Sequence, residues 1–374
     1  MDEPEICLIV RRFTIGGLER VVLLLANELS ARGRRVHVII LDPVGLRAMI
    51  TEMAPEVTIH VLSGSWAGRL GRLRELTRGR IAHFHPADGR IHPTVRWALR
   101  GHPGVFVTYH SDYTPVRNRL TNMLDRAITG RSRGVVACSK SVEDFCLREV
   151  RLPAGLVTVV DNAVPAPSAG SVRVERDGVF TLVAVATMNP HKNHVGLLKG
   201  FALARKRGHR LRLRLIGDGP AVAEAFGAAA ELGVSADVEW YGGLWQSSVV
   251  GALLSASDAF VSASRNEGLP MSVLEALQHG LPMVLSDISP HRDAAADAAV
   301  YFDPDAPAQF ADRLAELLDA DAHRRHAAAS RRRSALFSAE EFTERHLKLY
   351  DAVRFPEGTG RPTDRRAMRR QELS

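Results

Sequence analysis

Between Ser264 and Leu277 the chain reads SRNEGLPMSVLEAL, and two glutamates in it, Glu267 and Glu275, stand eight positions apart. The apolar run that follows Leu269 places Glu267 before a helix and Glu275 inside it. Gly268 lets the backbone approach a ligand closely. Leu269, Pro270, Met271 and Ser272 then carry the chain into the helix, whose unpaired N–H groups favour an anion such as a phosphate. Glu275 lies two turns in, among Val273, Leu274 and Leu277, so its carboxylate is expected to face a partner rather than water. A carboxylate so placed can accept the hydroxyls of a ribose. The bland alternative is an amphipathic helix carrying two ordinary acids.

Other candidates also follow apolar strands. Lys192, in VATMNPHKNH (185–194), sits at a helix start. The helix dipole disfavours a cation there unless an anion lies between, and a diphosphate would be such an anion; a solvated lysine is the alternative. The first strand ends in RRFTIGG, where Gly16 and Gly17 open a helix and suit a phosphate. A plain turn explains the same residues, and neither G-x-G-x-x-G nor a G-x-x-x-x-G-K-[ST] loop occurs. His110 ends the strand at 104–108, at the edge of a ligand cleft, unless it is a structural histidine. His83, His85 and His92 are expected in another cleft loop. They lack the carboxylate and cysteine company of a zinc site, so no metal is read. The triplets Asp303-Pro304-Asp305 and Asp319-Ala320-Asp321 read better as a turn and a helix cap than as metal ligands.

These positions need a scaffold that brings strand ends together. Short apolar runs alternate with amphipathic stretches: strands at 6–10, 36–41, 57–62, 104–108, 134–137 and 157–160, then 180–186, 211–216, 238–241, 259–261, 282–285 and 299–302. Continuous apolar strands alternating with helices indicate parallel sheets covered on both faces. The alternation breaks over 161–178, rich in Pro, Ala, Ser and Gly, with an interdomain linker placed at 166–178. The expected fold class is α/β, with a first Rossmann-like domain over 1–165 and a second over 179–338. A helix at 339–354 follows, with return to the first domain as an option, and then a flexible basic tail at 355–374. In such sheets ligands bind beyond the carboxyl ends of the strands, so the chemistry should sit in the loops after them.

Composition narrows the class. The 374 residues suit two domains of ordinary size, and 45% apolar with 24% charged residues is a globular balance. No apolar run approaches the ~18–20 residues of a membrane span. The acidic opening MDEPE is not expected to be a secretory signal. Cys7, Cys138 and Cys146, odd in number and without C-x-x-C spacing, suit reduced thiols in a cytosol. The formal charge of +7 comes with arginine clusters at 324–325, 331–333, 365–366 and 369–370. Specific nucleic-acid binding is not expected, since aromatics are only 6% and none are interleaved with the basic residues.

With these motifs in hand, the chain resembles the retaining family-4 glycosyltransferases of the GT-B fold, whose E-x7-E signature matches Glu267 and Glu275. The resemblance extends through Ile15-Gly16-Gly17-Leu18-Glu19, His110, Ala137–Ser141 (ACSKS), Val160–Val164, Pro190-His191-Lys192 and Ile216-Gly217-Asp218-Gly219-Pro220, from about residue 6 to 320. It implies two doubly wound domains facing a central cleft. It also implies His110, Lys192 and Glu267 as the catalytic set. Gly16 and Gly17 would face the donor diphosphate and the reacting sugar, and His110 the transferred sugar. Lys192 would bind the diphosphate, with Met271 and Ser272 near it. Glu267 and the amides of Gly268, Leu269 and the residues beyond Pro270 would hold sugar hydroxyls, and Glu275 the ribose. Family members carry an arginine shortly before the lysine; this chain has Thr187 there, with Arg265 or Arg11 as candidate replacements. Asn162-Ala163 stands where Asn-Gly is usual.

The activity implied is transfer of a sugar from a nucleoside diphosphate to a glycan, glycolipid or small-molecule acceptor, with retention. No cofactor and no divalent metal are expected, because lysine and helix N-termini can neutralise the leaving diphosphate. Rival readings are a nucleotide-sugar epimerase or phosphorylase on the same fold, and a non-catalytic nucleotide-sugar-binding protein. The expected location is cytoplasmic, with peripheral attachment through basic residues to an anionic membrane face as an option.

Overall fold

The computed structural model describes residues 3–43, 48–86, 93–114, 117–165, 177–244 and 246–356. Most of the interdomain linker and of the basic tail expected from the sequence, and His92, lie outside the described residues. The chain divides into two units, Met1–Ala163 with Ala339–Ser374, and Val164–Ser338.

The first unit is built on a seven-stranded parallel sheet. In chain order it runs β1 (Ile6–Val10), α1 (Gly17–Ala31), β2 (Val36–Ile40), β3 (Thr58–Val61), α2 (Trp66–Thr77), β4 (Ile81–His85), α3 (Pro93–Ala98), β5 (Val105–Tyr109), α4 (Arg119–Thr129), β6 (Gly134–Ala137), α5 (Lys140–Arg148) and β7 (Val157–Val159). The strand order is β3-β2-β1-β4-β5-β6-β7. Every residue of β1, β2, β4 and β5 is buried, as strands covered on both faces must be, so their side chains are apolar wherever no buried partner exists. Ser65, Asn118 and Ser139 cap α2, α4 and α5 with side-chain oxygens that accept first-turn amides.

The second unit runs β8 (Phe180–Val185), α6 (His194–Lys206), β9 (Leu211–Ile216), α7 (Val222–Glu231), β10 (Val238–Trp240), α8 (Ser247–Ser255), β11 (Ala259–Ser262), α9 (Met271–Gln278), β12 (Met283–Ser286), α10 (Ser289–Ala295), β13 (Ala299–Phe302), α11 (Pro307–Leu318) and α12 (Ala320–Ser334). Its six parallel strands are ordered β10-β9-β8-β11-β12-β13. Leu182, Leu198, Phe201, Leu213, Val284, Phe310 and Leu314 lie within one fully buried core. Both units are thus Rossmann-like. In each, the winding reverses beside the first strand, between β1 and β4 and between β8 and β11, and such a switch point opens a crevice at the carboxyl edge. The final helix, α13 (Ala339–Asp351), packs on α1 of the first unit; Asp351 pairs with Arg34 at 2.8 Å, and the Tyr350 hydroxyl meets His83 Nδ1 at 2.5 Å.

One expectation fails here. His83 and His85 lie not in a loop but in β4, 0% and 1% exposed. Polar histidines at alternate positions hide a central strand from an apolar-run search. They are tolerated in the core because they find partners: Thr108 and Tyr350 for His83, and His110 for His85.

Candidate functional site

In the second unit the loops after β8 and β11 flank the switch point. The β8 loop is held from below by the end of β9. Ala186 N–H donates to Ile216 O, Met188 N–H to Asp218 O and Ala221 N–H to Met188 O, at 3.0, 2.9 and 2.8 Å. Gly217 makes this possible, because a Cβ there would lie 1.8 Å from Ala186 O. Past Thr187 the chain makes one 3-10 turn, Pro190–Lys192, and Asn193, at φ +53°, then caps α6 by accepting Gly196 N–H at 3.2 Å. The left-handed Asn193 is the corner between that turn and α6.

The β11 loop meets it. Arg265 N–H donates to His191 O at 2.8 Å, and Lys192 Nζ donates to Glu267 Oε1 at 2.6 Å, with the side chains 15% and 12% exposed. Two residues 75 positions apart, both singled out as chemistry-bearing, therefore form one ion pair. Burial pushes the Glu267 carboxyl up. The Lys192 charge, the nearby His291 and hydrogen bonds from Lys192 and Ser264 outweigh it and hold Glu267 below the usual carboxylate range. Gly268, Leu269 and Pro270 are buried and lead into α9, whose first-turn amides, those of Met271 and Ser272, open towards its N-terminus. Glu275 is half-buried in the middle of α9.

Thr187 braces its own loop by accepting Asn189 Nδ2 at 3.1 Å, and it brings no charge to the site. Of the two proposed replacements for an arginine there, Arg265 has its guanidinium on Asp305. Asp303 accepts Asp305 N–H in a turn, and Asp319 caps α12 by accepting two amides. No group of three or more potential metal-ligating side chains exists among the described residues.

Sequence reading missed His291. It lies on α10, fully buried, with Nδ1 on Ser286 O at 2.8 Å and on Ser286 Oγ at 3.1 Å. Ser286 Oγ in turn donates to Ser264 O at 2.5 Å, which joins the ends of β11 and β12. Burial keeps the ring neutral against the pull of the Glu267 charge. With Nδ1–H given to a carbonyl, Nε2 carries the lone pair, and it has no partner among the described residues. The available signal was position: His291 falls one turn beyond a strand end on the same edge as Glu267.

In the first unit, Gly16 caps α1 and Gly17 begins it. The loop before them is tied by Glu19, which accepts Thr14 N–H at 3.1 Å and the Thr14 hydroxyl at 2.7 Å; a Cβ at Gly16 would lie 2.7 Å from Glu19 Oε2. His110, just past β5, places Nε2 3.1 Å from Nδ1 of His85 at the end of β4. Behind them the His83 ring lies tilted at 4.2 Å from that of His85, and His346 of α13 lies 5.7 Å from His83. Burial lowers all four: His83 and His85 well below the usual value, His346 to about 4 and His110 to about 3.

These four rings stay neutral in the folded chain, whereas in the unfolded chain they protonate below about pH 6.5. The unfolded state then holds more protons, so stability falls as pH drops below about 6.5, towards the folded values of about 4 for His346 and about 3 for His110, by about 1.4 kcal/mol per pH unit for each ring involved. Urea melts followed from pH 7.5 to 4.5 should show that slope, and His346→Gln should flatten it; an unchanged midpoint across the range would contradict the assignment of neutral rings.

Residues 15–166 match the domain family described as Glycosyltransferase Family 4, and residues 172–334 match Glycosyl transferases group 1. One match falls on each unit, and the pair supports a group-1 glycosyltransferase of the GT-B fold. A lipopolysaccharide 1,6-galactosyltransferase of Salmonella typhimurium is 33% identical over 164 residues, covering 42% of this chain and 41% of that protein. The chain thus spans under half the length of the first curated relatives it matches. Among solved structures, Anabaena HepE in complex with UDP and glucose aligns at TM-score 0.79 with 14% identity, covering 94% of this chain and 100% of that one. A Rickettsia africae glycosyltransferase aligns at TM-score 0.73 with 17% identity, covering 93% and 98%. At those identities the likeness concerns the fold.

Proposed function

We infer that a chain carrying both glycosyltransferase domains acts on nucleotide sugars in glycan assembly, moving the sugar to an acceptor with retention of configuration. The observation that carries this is the Lys192–Glu267 pair, held at the switch point of the second sheet beside the N-terminus of α9. Such a site suits a nucleoside diphosphate. The ammonium and the first-turn amides meet the phosphates, and Glu275, deeper in the same helix, is assigned to the ribose.

On this reading Glu267 has two tasks. It keeps Lys192 oriented before the donor arrives, and it accepts hydroxyls of the transferred sugar. As the glycosidic bond breaks, negative charge builds on the diphosphate, where Lys192 and the α9 amides are already aimed, so little reorganisation is needed. The leaving phosphate oxygen is assigned as the base that takes the acceptor's proton, which places attack on the face the diphosphate leaves. His110 and the Gly16-Gly17 turn are assigned to the transferred sugar, and the neutral His110 ring can donate or accept without adding charge.

Release of nucleoside diphosphate from a panel of nucleotide sugars, with and without glycan and glycolipid acceptors, tests the reading. Acceptor-dependent release that persists in chelator is expected. Sugar interconversion with no acceptor would instead indicate an epimerase, and activity that vanishes in chelator and returns with Mg²⁺ would overturn the metal-free account.

A further inference from the structure

Helix α4 is amphipathic in the wrong sense for a helix that only packs on its own sheet. Its inward face is polar: Asn122, Asp125 and Thr129 are buried. Its outward face is apolar: Leu120, Met123 and Leu124 are 68%, 61% and 48% exposed. At 3.6 residues per turn, positions 120, 123, 124 and 127 form one stripe, and Arg119 and Arg126, seven apart, share one flank of it. Beside α4, the short α3 exposes Trp97 (59%) while its neighbour Arg96 reaches in to Thr129 and Asp125.

The inversion has a cause within the unit. Asp125, the one acid of α4, is fully buried and accepts the Tyr109 hydroxyl at 2.5 Å, Arg117 at 2.6 Å and the Thr129 hydroxyl at 2.7 Å. That cluster holds the polar face inward, so no exposed acid remains on α3 or α4 while Arg100, Arg119 and Arg126 are exposed.

We propose that the α3–α4 face of the first unit docks on an anionic bilayer surface. An exposed apolar stripe with a cationic flank and no exposed acid is the pattern of an interfacial helix, whose side chains enter the acyl boundary while arginines meet anionic headgroups. A second copy of the chain fits less well. Four such side chains amount to roughly a few hundred Å², short of the roughly 800 Å² per partner of a standard protein interface, and two copies would set arginines against arginines. No described helix is long and apolar enough to cross a membrane, so attachment through this face is peripheral. It moves the membrane contact away from the arginines of α12, where Arg324, Arg332 and Arg333 already bond Asp321, Asp297 and backbone carbonyls. Because α4 starts at the carboxyl edge of the sheet, nine residues after His110, docking would bring that edge close to acceptors carried by lipid.

The test is flotation of the full chain, without nucleotide, on vesicles of phosphatidylcholine alone or with about 30% phosphatidylglycerol, at low and high salt. The chain should float with the anionic vesicles and release in high salt. Met123→Glu with Leu124→Glu, at exposed positions, should cut binding by about tenfold or more with unchanged melting. Arg119→Gln and Arg126→Gln should each cost about fivefold. Glutamine at Arg365, Arg366, Arg369 and Arg370 together should change binding by less than about twofold. Failure of the chain to float, flotation of the double glutamate variant like the parent, or loss of flotation only in the tail variant would each overturn the proposal. So would a dimer that the double variant splits, in a chain that ignores vesicles. Calorimetric UDP binding by the same variants keeps this outcome separate from that of the donor-site reading: it should not change.

Discussion

Lys192→Ala is expected to lower kcat/KM for the nucleotide sugar by about a hundred- to a thousandfold, roughly 3–4 kcal/mol, the scale of losing one preorganised charge-stabilising donor. Two losses combine. On the proposed reading the leaving diphosphate would lose its cation, and Glu267 keeps its burial while its nearest counter-charge disappears. Because Lys192 is what most opposes burial at Glu267, the variant should move the Glu267 carboxyl upward, and the acid limb of the pH–rate profile should move to higher pH with it. If Glu267 holds the transferred sugar as proposed, Glu267→Gln should depress kcat while leaving nucleoside diphosphate affinity nearly intact, because contacts that tighten only as the ring changes charge act on kcat. Glu275→Gln should do the reverse and raise donor KM, by the roughly 1.5–3 kcal/mol of a hydrogen bond to a charged group. Steady-state kinetics beside calorimetry with the nucleoside diphosphate separate the three. If Lys192→Ala binds and turns over like the parent, the ion pair is only structural and the site lies elsewhere.

The second large effect is one of stability. Asp125→Ala should destabilise the first unit by about 3–5 kcal/mol, because the guanidiniums of Arg96 and Arg117, 3% and 2% exposed, would stay buried without their carboxylate. Asp125→Asn retains hydrogen bonding and should cost less. The Tyr109 hydroxyl, whose ionisation burial and Asp125 together suppress, loses its acceptor in the alanine variant. With two units present, unfolding is not expected to be two-state, so the loss should appear as one transition moving while the other holds. An alanine variant whose two transitions both coincide with those of the parent would mean that the inverted orientation of α4 is set by something other than this cluster. Hydrogen exchange of the α4 amides gives a second reading, with protection expected to fall in the variant.

The parallel βα alternation was legible in the sequence because fully covered strands are mostly apolar along their length, and a run such as ICLIV declares itself. The helix start after Gly268 was legible too, and α9 begins at Met271 as expected: glycine, a pair of acids and a helix start form a local pattern, and local patterns survive in a linear string. The same rule explains what was lost. β4 reads IAHFH, and its histidines are acceptable only because Tyr350, 267 residues beyond His83, and Thr108 complete their hydrogen bonds.

Which charges meet was likewise decided by the tertiary structure. Nothing near Lys192 in sequence announces Glu267; the parallel pairing of β8 beside β11 brings their loops together, and a backbone hydrogen bond from Arg265 to His191 ties them. His291 entered the neighbourhood through β12, one strand further. The helical spacing in α4 was present from the start, yet spacing fixes only that one face is apolar. Which face turns inward depended on Asp125 finding Tyr109, Arg96 and Arg117, groups from three other segments of the chain. A sequence determines local periodicity and backbone permission by itself, because both act between neighbours. Burial, ion pairing and the sign of amphipathicity belong to distant residues and exist only once the sheets have closed.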